Sequence, residues 1–182
     1  MIKLAITLQI ISLLYHQITT LFDFFPFNGV RFYSRREKLA DAISGLIVMA
    51  IAPIGFIFHV PFLMELGLVC YCIGIGGWVA TWLIPYFFGP SAKWLEIYSK
   101  VHRQTITVLP RRGSNPVANL EHLILLILAL LTTAATWIAY HSSQGEFSRR
   151  VWVACLIGGV MVIGMIFQCC IVGRKKSNEP SA

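Results

Sequence analysis

Long apolar runs separated by short polar stretches dominate this chain. Residues 42–60, 63–88, 118–140 and 151–172 each approach the roughly 20 helical residues that a bilayer core requires. None carries a charge in its central portion. Pro53 falls inside the first run, where neighbouring helices tolerate such a residue. The pattern predicts an all-α fold, a polytopic transmembrane four-helix bundle.

Residues 1–27 follow a different rhythm. Leu4, Leu8, Ile11, Tyr15, Ile18, Phe22 and Phe25 recur at alternating steps of four and three, while Gln9, Ser12, His16, Thr19, Thr20 and Asp23 gather opposite. That spacing predicts an amphipathic helix. An in-plane helix in the inner interface is the favoured expectation, because His16 and Gln17 would be costly at mid-bilayer. A fifth span is the alternative. A signal peptide fits poorly, since Gln9 and Ser12 interrupt the apolar stretch and no small-x-small cleavage site follows.

Residues 89–117 form the one long loop. Ser91 is placed to cap a helix running to about Gln104, with Trp94, Ile97, Tyr98 and Val101 on one face. Lys93, Glu96, Lys100 and Arg103 lie opposite, so this second amphipathic helix suits the headgroup region. Thr105 to Leu109 reads as extended, Pro110 to Pro116 as a turn-rich return, and Asn115 or Asn119 as the cap of the next span.

Aromatic residues mark the expected boundaries: Trp82, Tyr86 and Trp94 at one, and Trp137, Tyr140 and Trp152 at the other. Small residues four apart (Gly76 with Ala80, Ala135 with Ala139, Ala154 with Gly158) offer close helix contact, and Gly74 to Gly77 reads as packing surface.

Composition agrees with the pattern. The chain is 57% hydrophobic and only 13% charged, about half the charged fraction of soluble domains. The expected organisation is a single integral membrane domain over residues 1–182. All 15 basic residues except Arg149 and Arg150 fall before the first span, in the long loop or in the tail at 173–182. The positive-inside rule then places the N-terminus, long loop and C-terminus in the cytoplasm, with the plasma membrane the expected location. The net charge of +7 would sit on that face. Its expected partners are the bilayer itself, anionic headgroups, a second copy or another membrane protein. Nothing in the pattern points to nucleic acid.

Candidate chemistry clusters at the inner mouth. Asp41 begins the first span, and Glu121 with His122 begins the third; these are the candidate catalytic residues. His102, Arg103, Arg111 and Arg112 are candidates for binding an anionic ligand. A bland explanation competes, since helix N-termini favour carboxylates, and neighbours such as Glu121 and His122 point about 100° apart. The five histidines match no zinc or haem spacing, so neither metal nor cofactor is expected. Cys70, Cys72, Cys155, Cys169 and Cys170 all lie in apolar runs, where packing is the default role. The favoured function is a non-enzymatic membrane component whose basic cytoplasmic face meets anionic lipid or a partner. The alternatives are an oligomeric transporter or channel subunit, and an enzyme acting on a lipid headgroup at the cytoplasmic mouth.

Overall fold

The computed structural model describes residues 1–144, so the expected span at 151–172 and the tail beyond it lie outside the described residues. Four helices are long and apolar enough to cross a membrane: α1 (Ile2–Leu21), α2 (Arg35–Ile57), α3 (Pro61–Phe88) and, after the long loop, α5 (Leu120–Gln144). A shorter helix, α4 (Ala92–Val101), lies in the loop. The protein is thus an all-helical integral membrane bundle, and its N-terminal helix is of spanning length.

Local chemistry sets the helix ends. Ser34 opens α2 with a capping box: its hydroxyl accepts the Glu37 N–H, and Glu37 accepts the Ser34 N–H at 2.7 Å. The helix therefore starts seven residues ahead of the expected run, at Arg35, because amphiphilic turns extend it beyond the apolar stretch. Pro61 starts α3, where its missing N–H costs nothing. A wider π turn at Val79–Leu83 interrupts α3 just ahead of Pro85. Ser91 caps α4 through the Trp94 N–H, as expected, and α4 ends at Val101 rather than near Gln104. Of the two candidate caps for α5, Asn119 is the one that accepts an N–H, from His122 at 3.0 Å.

The spanning helices form a ring in which α1 and α3 each pack against both α2 and α5. Side-chain bonds set α1 antiparallel to α5, pairing Gln9 with Thr136, Ser12 with Thr132, and the Tyr15 hydroxyl with the Glu121 carbonyl. Met1 and the long loop consequently lie at opposite ends of the bundle. α1 therefore packs as a member of the bundle, which accords with the fifth-span alternative and departs from the favoured in-plane reading of residues 1–27.

The orientation of α1 gives the physical reason. Gln9, Ser12, Thr19 and Thr20 are buried inside the bundle, whereas Leu4, Ile11, Ile18 and Phe22 are exposed on its outside. An in-plane helix would need the reverse. Lipid offers no hydrogen bonds, so polar side chains turn toward partner helices. Apolar packing fills the end near Met1, where Ala5, Phe56, Met64, Leu68, Ala135 and Ala139 meet. The two alanines were expected to pack, and they do. Among the described residues, a side chain added at Gly74 or Gly77 would meet nothing within 4 Å, whereas one at Gly67 would strike the backbone of Ala52. α2 and α3 therefore approach closely at Ala52 and Gly67.

Candidate functional site at the loop end of the bundle

Asn28 organises the turn that closes this end. Its amide donates to the Thr19 and Phe22 carbonyls, both at 2.9 Å, and its side-chain oxygen accepts the Phe24 N–H at 3.0 Å. These bonds satisfy backbone groups freed by the end of α1. The chain then passes through a 3-10 turn at Val30–Phe32, which delivers Tyr33 to the mouth of the bundle. From the other direction, the strand-like return after α4 is tied down twice: the Ile106 N–H donates to the Pro26 carbonyl, and the Leu120 N–H donates to the Ile106 carbonyl.

These segments enclose a cavity of about 690 Å³. His16 and Thr19 come to it from α1, Tyr33 from the turn, Asp41 and Ser44 from α2, His102 from the end of α4, and Glu121 and His122 from α5. With Glu37 of α2, three histidines and three carboxylates thus converge from four helices. All three candidate catalytic residues, Asp41, Glu121 and His122, line this space, and His16 and Tyr33 join them. In the sequence His16 stands out only as an obstacle to spanning; its place on the polar stripe of α1 is the available signal. Tyr33 leaves no such signal, because its position depends on a turn that Asn28 fixes.

Packing holds the histidines in defined places. The His16 ring lies so close to Gly45 that a β-carbon there would fall 2.3 Å from its Cε1. His102 is only 3% exposed, and the Tyr33 hydroxyl is 3.4 Å from its Nε2. Burial drives the His102 imidazole down to about 4, so it is neutral at physiological pH. Its Nδ1 is buried without a hydrogen-bond partner among the described residues. Burial, reinforced by Glu121, Asp41 and Glu37, pushes the Tyr33 hydroxyl up to about 12. The rings of His102 and His122 meet edge to face, 5.3 Å between centroids. Trp82 touches both, at 5.0 and 4.6 Å. Trp94 and Tyr98 pack on its other edges.

Trp82 is therefore a buried hub and not part of an interfacial belt. The π turn of α3 contains it, a backbone form often found at functional sites. Two further donors secure the start of α5: Trp78 Nε1–H to the His122 carbonyl at 3.0 Å, and the Tyr15 hydroxyl to the Glu121 carbonyl at 2.9 Å.

The competing explanation for the carboxylates now divides. Asp41 sits in the second turn of α2, beyond the first turn where the helix dipole acts, and Glu37 fills the capping role. Glu121 remains in a first turn. It is also 3.6 Å from His122 Nδ1, so these neighbours approach each other despite their angular offset.

The expected anion-binding set separates into three places. Arg103 and Arg111 share a groove of about 300 Å³ with Tyr98, Ser99, Ser114 and Asn115. Arg112 lies over the Phe87 ring at 5.6 Å. His102 belongs to the larger cavity and is neutral, so it supplies no positive charge for an anion. Among the described residues, no three His, Cys, Asp or Glu side chains are grouped to hold a metal ion. No protein-family model, curated protein or solved structure matches this chain.

Proposed function

We propose that this chain is a membrane enzyme performing acid–base chemistry on a polar headgroup that enters the cavity at the cytoplasmic end of the bundle. One observation carries the reading: His16, Asp41, His102, Glu121 and His122 line a single cavity of about 690 Å³. Ionisable side chains are expensive at membrane depth, and a purely structural bundle gains nothing by collecting them around open space. A concave site with histidine, carboxylate and tyrosine groups in mutual reach is what proton transfer needs.

In this reading His122 takes a proton from the headgroup and later returns it. The Glu121 carboxylate, 3.6 Å from the ring, balances the imidazolium formed between those steps. Neutral His102, held by Tyr33 and Trp82, supplies a polar wall that does not repel that charge. The cytoplasmic assignment rests on charge: among the described residues, Arg31, Arg35, Arg36, Lys38, Lys93, Lys100, Arg103, Arg111 and Arg112 belong to the cavity end, against Lys3 at the other. The plasma membrane is the proposed location on the same basis.

A second, compatible role is favoured by the loop groove. Arg103 and Arg111 line it together, with no carboxylate in its wall among the described residues. It suits the phosphate of an anionic lipid, which would anchor the amphipathic α4 at headgroup level.

The test is reconstitution of the full chain into vesicles of total polar lipid extract, with lipids followed by mass spectrometry. The expected result is a headgroup-modified lipid that accumulates with time. Glu121→Gln and His122→Ala should each slow it about 10²-fold or more, with the thermal midpoint held. An unchanged lipid profile with the wild-type chain, or full activity in both variants, would overturn the proposal.

A further inference from the structure

We infer that Asn119 fixes the ring tautomer of His122, so that Nε2 is the nitrogen that exchanges a proton in the cavity. The inference rests on the acid–base reading for its catalytic meaning, while its structural half stands alone.

Asn119 is fully buried at the start of α5. Its side-chain oxygen accepts the backbone N–H of His122 at 3.0 Å. A backbone N–H can only donate, so the amide atom facing it has to be the oxygen, and the Asn119 orientation follows. That same oxygen lies 2.6 Å from His122 Nδ1. A carbonyl oxygen only accepts, so Nδ1 carries the hydrogen. A neutral imidazole has one N–H, which leaves the lone pair on Nε2. The other half of the Asn119 amide, Nδ2, is 3.4 Å from Glu121 Oε2. One buried side chain therefore caps the helix, orients the histidine and reaches the carboxylate beside it.

The ring is not sealed in. The His122 side chain is 26% accessible and lines the cavity, and no hydrogen bond reaches Nε2 among the described residues. A headgroup X–H can pass its proton to Nε2 as the X–H bond breaks. Both ring nitrogens then carry hydrogen, and Asn119 still accepts from Nδ1. Returning the Nε2 proton to the product restores the starting ring. Asn119 never touches the headgroup in this scheme; it is a positioning residue.

The experiment separates its cap from its effect on the ring. Ring-nitrogen NMR of the full chain labelled at histidine, with His122→Ala assigning the signal, should find His122 in the Nδ1–H form alone. Asn119→Ser keeps a short oxygen for the backbone N–H but cannot reach the ring. It should yield mixed tautomers and about 10-fold or more lower turnover, with KM changed less than about 2-fold. Asn119→Asp retains an acceptor of the same length and should restore the single tautomer. An Nε2–H ring in the wild type, or an unaltered spectrum in Asn119→Ser, would overturn the inference. The spectra need no substrate, so failure of the enzyme reading appears separately, as absent turnover with an intact Nδ1–H signal.

Discussion

Ser12 on α1 and Thr132 on α5 stand 120 positions apart in the chain, and their hydroxyl oxygens lie 2.7 Å apart inside the bundle. The Thr132 hydroxyl also lies 3.3 Å from the Leu8 carbonyl, a second tie from α5 to α1. With Gln9 and Thr136 one turn away, this seam turns α1 inward and makes it a member of the bundle. A double-mutant cycle with Ser12→Ala and Thr132→Val should give a coupling of about 0.6 kcal/mol, and not above about 2 kcal/mol. Unfolding in detergent measures it; strict additivity would remove the pair from the account.

Two glycines of α3 should respond in opposite directions. At Gly67 a new β-carbon would come within 2.4 Å of the Ala52 β-carbon and 2.6 Å of its Cα, atoms that cannot swing away. Gly67→Ala should lower the thermal midpoint clearly. Gly74 meets no described residue within 4 Å, so Gly74→Ala should raise stability by about 0.5–1 kcal/mol through the gain in helix propensity. Equal effects at both sites would contradict the assigned crossing point.

Gly45→Ala tests the seat of His16. The added methyl group meets an imidazole that can rotate, not a backbone, so the bundle should fold with little loss. Headgroup turnover should nevertheless fall by about 10-fold, as expected when a catalytic geometry shifts by an ångström. Unaltered turnover would place His16 outside the working site.

Stability should depend on pH through His102. Its imidazole is held at about 4 in the folded protein, against 6.5 for the free group. Between those values the unfolded chain binds a proton that the folded one refuses. Stability is therefore complete above about pH 6.5, falls as the pH drops toward 4, and levels off below, losing about 3 kcal/mol in all. Tyr33, Tyr98 and His122 are the other titratable groups against the ring. Thermal midpoints across this range should show the decline, and His102→Gln should flatten it. A variant that keeps the full slope would assign the effect elsewhere.

Topology is open to direct labelling. In a cysteine-free background, single cysteines at positions 2 and 112 should react with impermeant reagents from opposite sides of the membrane. Reaction from one side only would favour the in-plane arrangement of residues 1–27.

Much of the fold was legible from residue order. Three apolar runs became α2, α3 and α5, with end shifts of up to seven residues; Ser91 and Asn119 capped helices where side-chain chemistry allowed it. Such features are local, set by hydropathy over about 20 positions or by an oxygen two or three residues from an N–H. The fate of α1 was not legible in the same way. Its stripes of Leu4, Ile11 and Ile18 against Gln9, Ser12 and His16 suit an interface or a bundle equally well, because amphipathicity names two faces without naming the solvent on either. Partners 120 residues away decided it.

The site divides along the same line. Asp41, Glu121 and His122 could be picked out as ionisable groups at the mouths of apolar runs. That the loop arginines would part from His102, and that Trp82 would sit beneath two histidines, depended on how α4 and the return fold over the bundle end. Residue order alone dictated a membrane-crossing chain with its charge gathered toward one face, because transfer free energies act residue by residue. Helix packing in three dimensions turned the polar side of α1 inward and brought three histidines to one cavity, because a buried polar group must find its partner wherever the chain brings one.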